Sequence, residues 1–307
     1  MNSDRASVAS VRRKRLRIER REARFALLLL APCLGLVLAL ESFPVILSFF
    51  LTFQKVTLGI TGMTFEFAGL NNWVQMFNDR ILGPILLRTI YFTGLDVAFS
   101  FLIALGVALV LNEEFRGRSL ARVLLILPWA IPVVVSGRMF GLIFHSGFGI
   151  LNTLLIKMGL IRSGILWLID PRYSINTVAF AQIWTHFPLL ALFFLAAFET
   201  IPQELYDAAK IDGASRWQRF RHVTIPSVRN IILMMLIITT ISSFKVFDMI
   251  YIMTMGYADT MVWYFNVFIQ SFKFLHFDYG ATLAYALFVA ILLLTAAYLK
   301  LFPIRER

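Results

Sequence analysis

Polar side chains set inside long apolar runs are the residues of this chain with chemistry to offer. The run 175–198 carries Trp184, Thr185, His186 and Pro188, and the run 230–254 carries Thr239, Thr240, Ser242, Ser243, Lys245 and Asp248. A polar group in a bilayer core is costly, so its retention points first to function. Lys245 and Asp248 lie three residues apart, on one face of a helix, where they could pair. Such a pair would serve equally as an internal salt bridge. Serine and threonine in membrane helices also bond to backbone or pack between helices. Pro188 frees a carbonyl one turn earlier and tends to kink its helix. Glu41, Arg88, Asp96 and Arg138 are further polar residues inside apolar runs. Arg138, in mid-run, either faces a cavity, snorkels or pairs with Asp96. No His/Cys/Glu cluster has metal-ligand spacing, and no nucleophile lies beside a base. Cys33 is the single cysteine, which excludes a disulfide framework and a CxxC site.

The elements that must position these residues follow from composition. Of 307 residues, 59% are hydrophobic and 15% charged, against about 45–50% and about 25% in soluble domains. Several runs exceed the ~18 apolar residues of a membrane helix. Six spans are expected, roughly 25–53, 85–111, 119–145, 175–198, 230–254 and 278–302, giving an all-α integral membrane protein with no β-barrel pattern. Nine of the Lys/Arg residues fall within positions 1–24. This basic arm suits the cytoplasmic face of an anionic bilayer rather than nucleic acid. A cleaved signal peptide fits less well, because the basic region is long, the apolar run exceeds ~15 residues and no small-residue cleavage site follows. Segments 1–24, 112–118, 199–229 and 303–307 with their flanks hold about 20 of the 29 Lys/Arg, and the intervening loops about six. That asymmetry places both termini in the cytoplasm. Trp73, Trp167, Tyr173, Trp263 and Tyr264 fall near the outer boundaries, as an aromatic belt would.

Glu204 to Pro226 is the one long, charge-rich segment between spans. It reads as two short helices. Pro202 suits a helix start, and Glu204 and Asp207 put negative charge near the positive end of its dipole. Ala208 and Ala209 leave room for close approach. Gly213 ends the first helix as a left-handed cap. The second, Ala214 to His222, mixes Arg216, Arg219 and Arg221 with Trp217 and Phe220, and Pro226 marks the next span. A solvated helical hairpin would carry such charges too, but exposed aromatics among both signs of charge favour a protein partner.

The order Leu205-Tyr206-Asp207-Ala208-Ala209, Asp212-Gly213-Ala214, Phe220 and Ile225-Pro226 resembles the EAA loop of permease subunits of binding-protein-dependent ABC importers. Asp207 stands where that family usually has Glu. Further stretches resemble its carbohydrate branch, the maltose/glycerol-3-phosphate type: Phe67-Ala68-Gly69-Leu70-Asn71-Asn72, Leu127-Pro128-Trp129-Ala130-Ile131-Pro132, Phe148-Gly149-Ile150-Leu151-Asn152 and Phe247-Asp248-Met249-Ile250-Tyr251. Met255-Gly256-Tyr257-Ala258-Asp259 departs from that branch, which often has Gly-Gly-Gly-Pro there.

The resemblance implies a type I ABC importer permease fold over 25–307. It implies a coupling loop within 199–229 formed by Glu204, Asp207, Ala208, Ala209, Asp212, Gly213, Ala214, Phe220 and Pro226. The implied partners are a second, homologous permease subunit in a heterodimer, two ATP-binding subunits carrying ATP and Mg, an extracytoplasmic solute-binding protein and the lipid bilayer of a bacterial or archaeal cytoplasmic membrane. No cofactor is expected on this chain. It has no GxxxxGK[ST] motif, so ATP hydrolysis falls to another polypeptide. The implied sugar- or polyol-contacting positions are Thr185, His186, Leu189, Thr239, Ser242 and Ser243, whose hydroxyl and imidazole groups suit a polyhydroxylated ligand. Other cargoes of the same family (glycerol-3-phosphate, polyamine, phosphate, amino acid, iron), an ion-driven secondary transporter and an integral membrane enzyme are the competing readings.

Overall fold

The computed structural model describes Phe25, residues 28–60 and residues 62–301. The basic arm 1–24 and the tail 303–307 lie outside the described residues. Five helices are long and apolar enough to span a bilayer: Leu28–Leu51, Leu82–Asn112, Pro171–Glu199, Arg229–Met253 and Phe277–Leu301. A bent pair, Arg118–Ala130 and Val133–Ile143, with 91° between its halves, makes a sixth if counted as one span, the third in chain order. The run 119–145, expected as one span, is broken between Ala130 and Val133. The cause is local: Ile131 precedes Pro132 and adopts φ −74°, ψ 129°, the extended conformation that a following proline imposes. Pro128 and Pro188, by contrast, sit inside continuous helices.

The second and fourth spans pack along their length and form the axis of the bundle. Phe92, Val178 and Phe265 are fully buried in one cluster, and Ala104, Ala108, Ala191 and Phe194 in another. Small residues between helices let backbones approach where lipid offers no hydrophobic drive. Asp170 starts the fourth span as its N-cap, its carboxylate accepting from Arg172 N at 3.0 Å. The first span lies at the periphery, attached through Phe43–Leu51 to the sixth. There the Tyr285 hydroxyl donates to Val45 O, and the Phe49 and Tyr285 rings meet at 5.2 Å.

The chain is not wholly helical. Directly after the first span, β1 (Gln54–Gly59) and β2 (Gly62–Phe67) pair antiparallel, with Val56 opposite Phe65. Two buried polar groups fix this hairpin. Asn72 donates to Thr52 O and Gln54 O at 3.0 and 2.8 Å, and Asp278, at the start of the sixth span, accepts from Val56 N at 3.0 Å. Gly69 takes φ +56° in the turn between β2 and the helix Asn71–Asn78, a conformation glycine adopts without steric cost.

At the same end, Asn152 organises the segment joining the third and fourth spans. Its amide donates to Ser146 O and Ile165 O and accepts from Ile165 N and Trp167 Nε1, at 2.8–3.1 Å. Trp167, half-buried, is thus held by Asn152. Trp263 likewise is 9% exposed, with Nε1 donating to Leu283 O. Asn152→Ala removes all four bonds. Hydrogen exchange over 146–167 is expected to accelerate by roughly tenfold or more, the equivalent of about 1–3 kcal/mol for buried groups left unpaired. Unchanged protection would contradict this account.

Candidate functional site

Two sites emerge, one at each of the places where polar residues stood out. The first is the helical hairpin 203–228. Its first helix, Gln203–Ile211, begins after Pro202 and carries Glu204 in the opening turn. It closes in a paired cap. Gly213 N donates to Lys210 O at 3.0 Å and Ala214 N to Ala209 O at 2.9 Å, with Gly213 at φ +76°. That is the Schellman arrangement of a left-handed glycine. The second helix starts two residues later than expected, at Arg216 behind a capping box. Ser215 Oγ accepts from Gln218 N, and Gln218 Oε1 accepts from Ser215 N at 2.7 Å. The S-x-x-Q spacing was readable in the sequence. The helical path continues past His222 through a π turn, Phe220–Thr224, to Ser227.

The hairpin is closed by Tyr206 Oη and Thr224 Oγ1 at 2.9 Å, with Thr224 buried. Glu204, Asp207, Ala208, Asp212, Gly213 and Pro226 are exposed, while Ala209, Ala214 and Phe220 are half-buried. Ile211 is 87% exposed and Trp217 66%. The tip therefore combines charge with bare apolar surface, the composition of a protein-docking patch. A cleft of about 890 Å³ separates the hairpin from the end of the second span, with Asn112, Glu113 and Glu114 facing Tyr206, Arg216 and Phe220. Asp207 pairs with Lys210 at 2.9 Å. Hydrogen bonds from the Lys210 ammonium and the Gln203 amide hold its carboxyl below the ordinary aspartate value. Any stability from this pair is complete above that ordinary value and fades as pH falls through the depressed one, so the charge persists at neutral pH.

A clasp ties this end to the bundle. Arg122 reaches Glu199 at 2.7 Å, and Arg118 donates to Leu111 O at 2.7 Å. The ends of the second, third and fourth spans meet there, four residues before the hairpin begins.

The second site lies at mid-bundle. Asp96, His186 and Ser243 stand near the middle of the second, fourth and fifth spans, so helical rise alone brings them to one level. Asp96 has no solvent exposure. Its Oδ2 accepts from Ser243 Oγ and lies 2.8 Å from His186 Nδ1, and Oδ1 accepts from Ser100 Oγ at 3.0 Å. The other imidazole nitrogen, Nε2, lies 2.7 Å from Gln182 Nε2. Of the expected substrate positions, His186 and Ser243 are drawn together here, while Thr185 is buried and donates to Gln182 O. Thr239 is buried, Leu189 half-buried and Ser242 exposed. Asp96, expected at most to pair with Arg138, meets Ser100, His186 and Ser243 instead. Gln182 and Ser100 carry a local signal in their (i, i+4) spacing to His186 and Asp96.

The expected Lys245–Asp248 pair is absent among the described ion pairs. The helix ends at Phe244 with Lys245 as its cap, and a new helix starts at Asp248, so the two exposed side chains share no helical face. Arg138 is exposed and does not meet Asp96. Arg88 pairs instead with Asp259, in a turn where Met255, Ala258 and Asp259 all take positive φ. Among the described residues no group of three or more His, Cys, Asp or Glu could hold a metal.

A bundle of helices of membrane-spanning length with a polar cluster at its middle and a polar helical hairpin at one end is the architecture of a polytopic membrane protein. Residues 97–301 match the model of the "binding-protein-dependent transport system inner membrane component" family, and the chain belongs to that family. It is 31% identical to the trehalose/maltose transport system permease protein of Thermococcus litoralis over 92% of this chain and 95% of that one. It is 32% identical to the sulfoquinovosyl glycerol transport system permease protein of Agrobacterium fabrum over 92% and 91%. Among solved structures, a bacterial ABC transporter for the acidic polysaccharide alginate has a chain that superposes with TM-score 0.80 at 21% identity, over 92% of this chain and 96% of that one. That last likeness supports the fold.

Proposed function

We propose that the chain is one permease subunit of a sugar or polyol importer. It works with a second, homologous permease, two separate ATP-hydrolysing subunits and an extracytoplasmic solute-binding protein. The observation that carries the cargo class is that both relatives above, matched nearly end to end, are named for the transport of glycosides. Orientation follows from charge. The end carrying hairpin 203–228 and turn 113–117 holds the basic residues and faces the cytoplasm.

Hairpin 203–228, with Glu204, Asp207 and Gly213 on its exposed face, docks on an ATPase subunit through its charged and apolar tip. Closure of the two ATPases on ATP moves the hairpin, and the bundle alternates between inward-open and outward-open forms. This is a two-state element biased by a ligand with unequal affinity for the two states. Thr185, His186, Leu189, Thr239, Ser242 and Ser243 belong to the cargo route in this scheme.

The test is purification of the chain with its genetically linked partners and uptake of labelled maltose, trehalose and sulfoquinovosyl glycerol into proteoliposomes, with glycerol-3-phosphate, a polyamine and an amino acid as competing cargoes. Sugar uptake that depends on ATP and on the binding protein is expected. Asp207→Lys, which sets two cations three residues apart, is expected to release the ATPase. Uptake of a non-sugar alone would overturn the cargo class, and an Asp207→Lys complex that stays assembled and active would overturn the docking role.

A further inference from the structure

The mid-bundle cluster assigns a role to a residue that cannot touch the cargo. We propose that Asp96 is a positioning residue for cargo recognition: it locks the His186 ring so that His186 and Gln182 together present a fixed hydrogen-bonding edge to a hydroxyl-bearing solute. The proposal rests on the sugar-permease reading above and deepens it.

Asp96 is fully buried, and both of its oxygens are already occupied, by Ser100, His186 and Ser243. It has nothing left to offer a solute. What it does is set the proton on His186. A carboxylate only accepts, so the nitrogen facing it, Nδ1, is the one that donates. In the neutral ring Nε2 is then an acceptor, and it faces the Gln182 amide nitrogen at 2.7 Å. One amide hydrogen of Gln182 is used there, which leaves its second N–H and its carbonyl oxygen. The carbonyl oxygen has no hydrogen bond among the described contacts, in a residue that keeps 8% exposure.

His186 retains 20% side-chain exposure while Asp96 has none. The accessible edge thus lies on the fourth span, and its orientation is dictated from the second and fifth. A sugar hydroxyl needs a donor and an acceptor together, and Gln182 held this way supplies both. Holding them in place beforehand avoids the ordering cost that a freely rotating side chain would pay on binding. The bulk location agrees: an ionisable residue held at mid-membrane marks a solute path by default.

The test uses the complete transporter in proteoliposomes with saturating liganded binding protein. It reads two ratios: sugar carried per ATP hydrolysed, and the rate of maltose uptake relative to trehalose. Asp96→Asn keeps the shape but exchanges one acceptor oxygen for an N–H and removes the charge, so whichever way the amide turns, the three groups that donate to Asp96 share a single, neutral acceptor and His186 is held less firmly. Sugar carried per ATP is expected to fall about tenfold, the value of one well-made hydrogen bond, and the sugar-to-sugar ratio to shift. Asp96→Glu is expected to recover part of both. Gln182→Ala, which leaves the contacts of Asp96 in place, is expected to shift the sugar ratio in the same direction. The proposal is overturned if Asp96→Asn leaves both ratios at wild-type values, or if uptake and ATP hydrolysis fall in parallel, the mark of a structural role alone. If Asp96→Asn does not assemble, Gln182→Ala decides, and an unchanged sugar ratio sinks the idea. Absence of any sugar uptake by the wild type would instead be a failure of the importer reading.

Discussion

Gly213→Val is expected to cut ATP-driven uptake by about 5–30-fold, while Gly213→Asn retains most of it. The contrast comes from backbone and not from crowding. Gly213 holds φ +76°, and a Cβ added there would meet no atom within 4 Å. A side chain fits in space but not in conformation: the left-handed region costs an L-residue about 1–2 kcal/mol, more readily borne by asparagine than by a β-branched residue. The cap bonds from Gly213 N to Lys210 O and from Ala214 N to Ala209 O depend on that conformation. Losing it changes the angle at which Ile211 and Trp217, both exposed, are offered to a partner. A penalty of 1–2 kcal/mol moves a two-state population by about 5–30-fold. Uptake by Gly213→Val equal to wild type, or equal loss with Asn and Val, would falsify the conformational explanation.

Asp96→Ala is expected to lower the stability of the detergent-solubilised chain by about 3 kcal/mol, read as a shift in the unfolding midpoint. Three donors, on Ser100, His186 and Ser243, lose their acceptor at the middle of the bundle. Each buried polar group left unpaired costs about 1–3 kcal/mol. Ser100 and Ser243 can turn back to carbonyls of their own helices, which limits their share. His186 has no such retreat. Ser243→Ala should therefore cost about 1 kcal/mol, and the Asp96→Ala, Ser243→Ala double variant should cost less than the sum of the two, because the pair shares one bond. Strict additivity would show that the serine and the carboxylate do not interact.

The residues divide according to how far apart in the chain their partners lie. The spans were readable because hydropathy over some twenty residues is a property of one stretch. The 203–228 hairpin was readable because Pro202, Gly213 and the Ser215–Gln218 box each act within a turn. Even the break in the third span had a local sign, Ile131 before Pro132, although apolar composition on both sides hid it. The β1–β2 hairpin too has a local sign, alternation in Val56-Thr57-Leu58 and Thr64-Phe65-Glu66-Phe67 around Gly59 and Gly62. The Lys245–Asp248 pairing failed because it assumed a continuous helix, and the chain turns at Lys245.

By itself the sequence determined a multi-span helical permease, the placement of its polar helical hairpin and the glycine on which that hairpin bends. These depend on hydropathy, charge and caps, all expressed within one or two turns. Only the tertiary structure decided which intramembrane polar residues meet. Asp96 lies 90 positions from His186 and 147 from Ser243. A hydrogen bond acts over about 3 Å and leaves no trace in spacing. Its partners become visible only once three spans have packed and placed them at one depth.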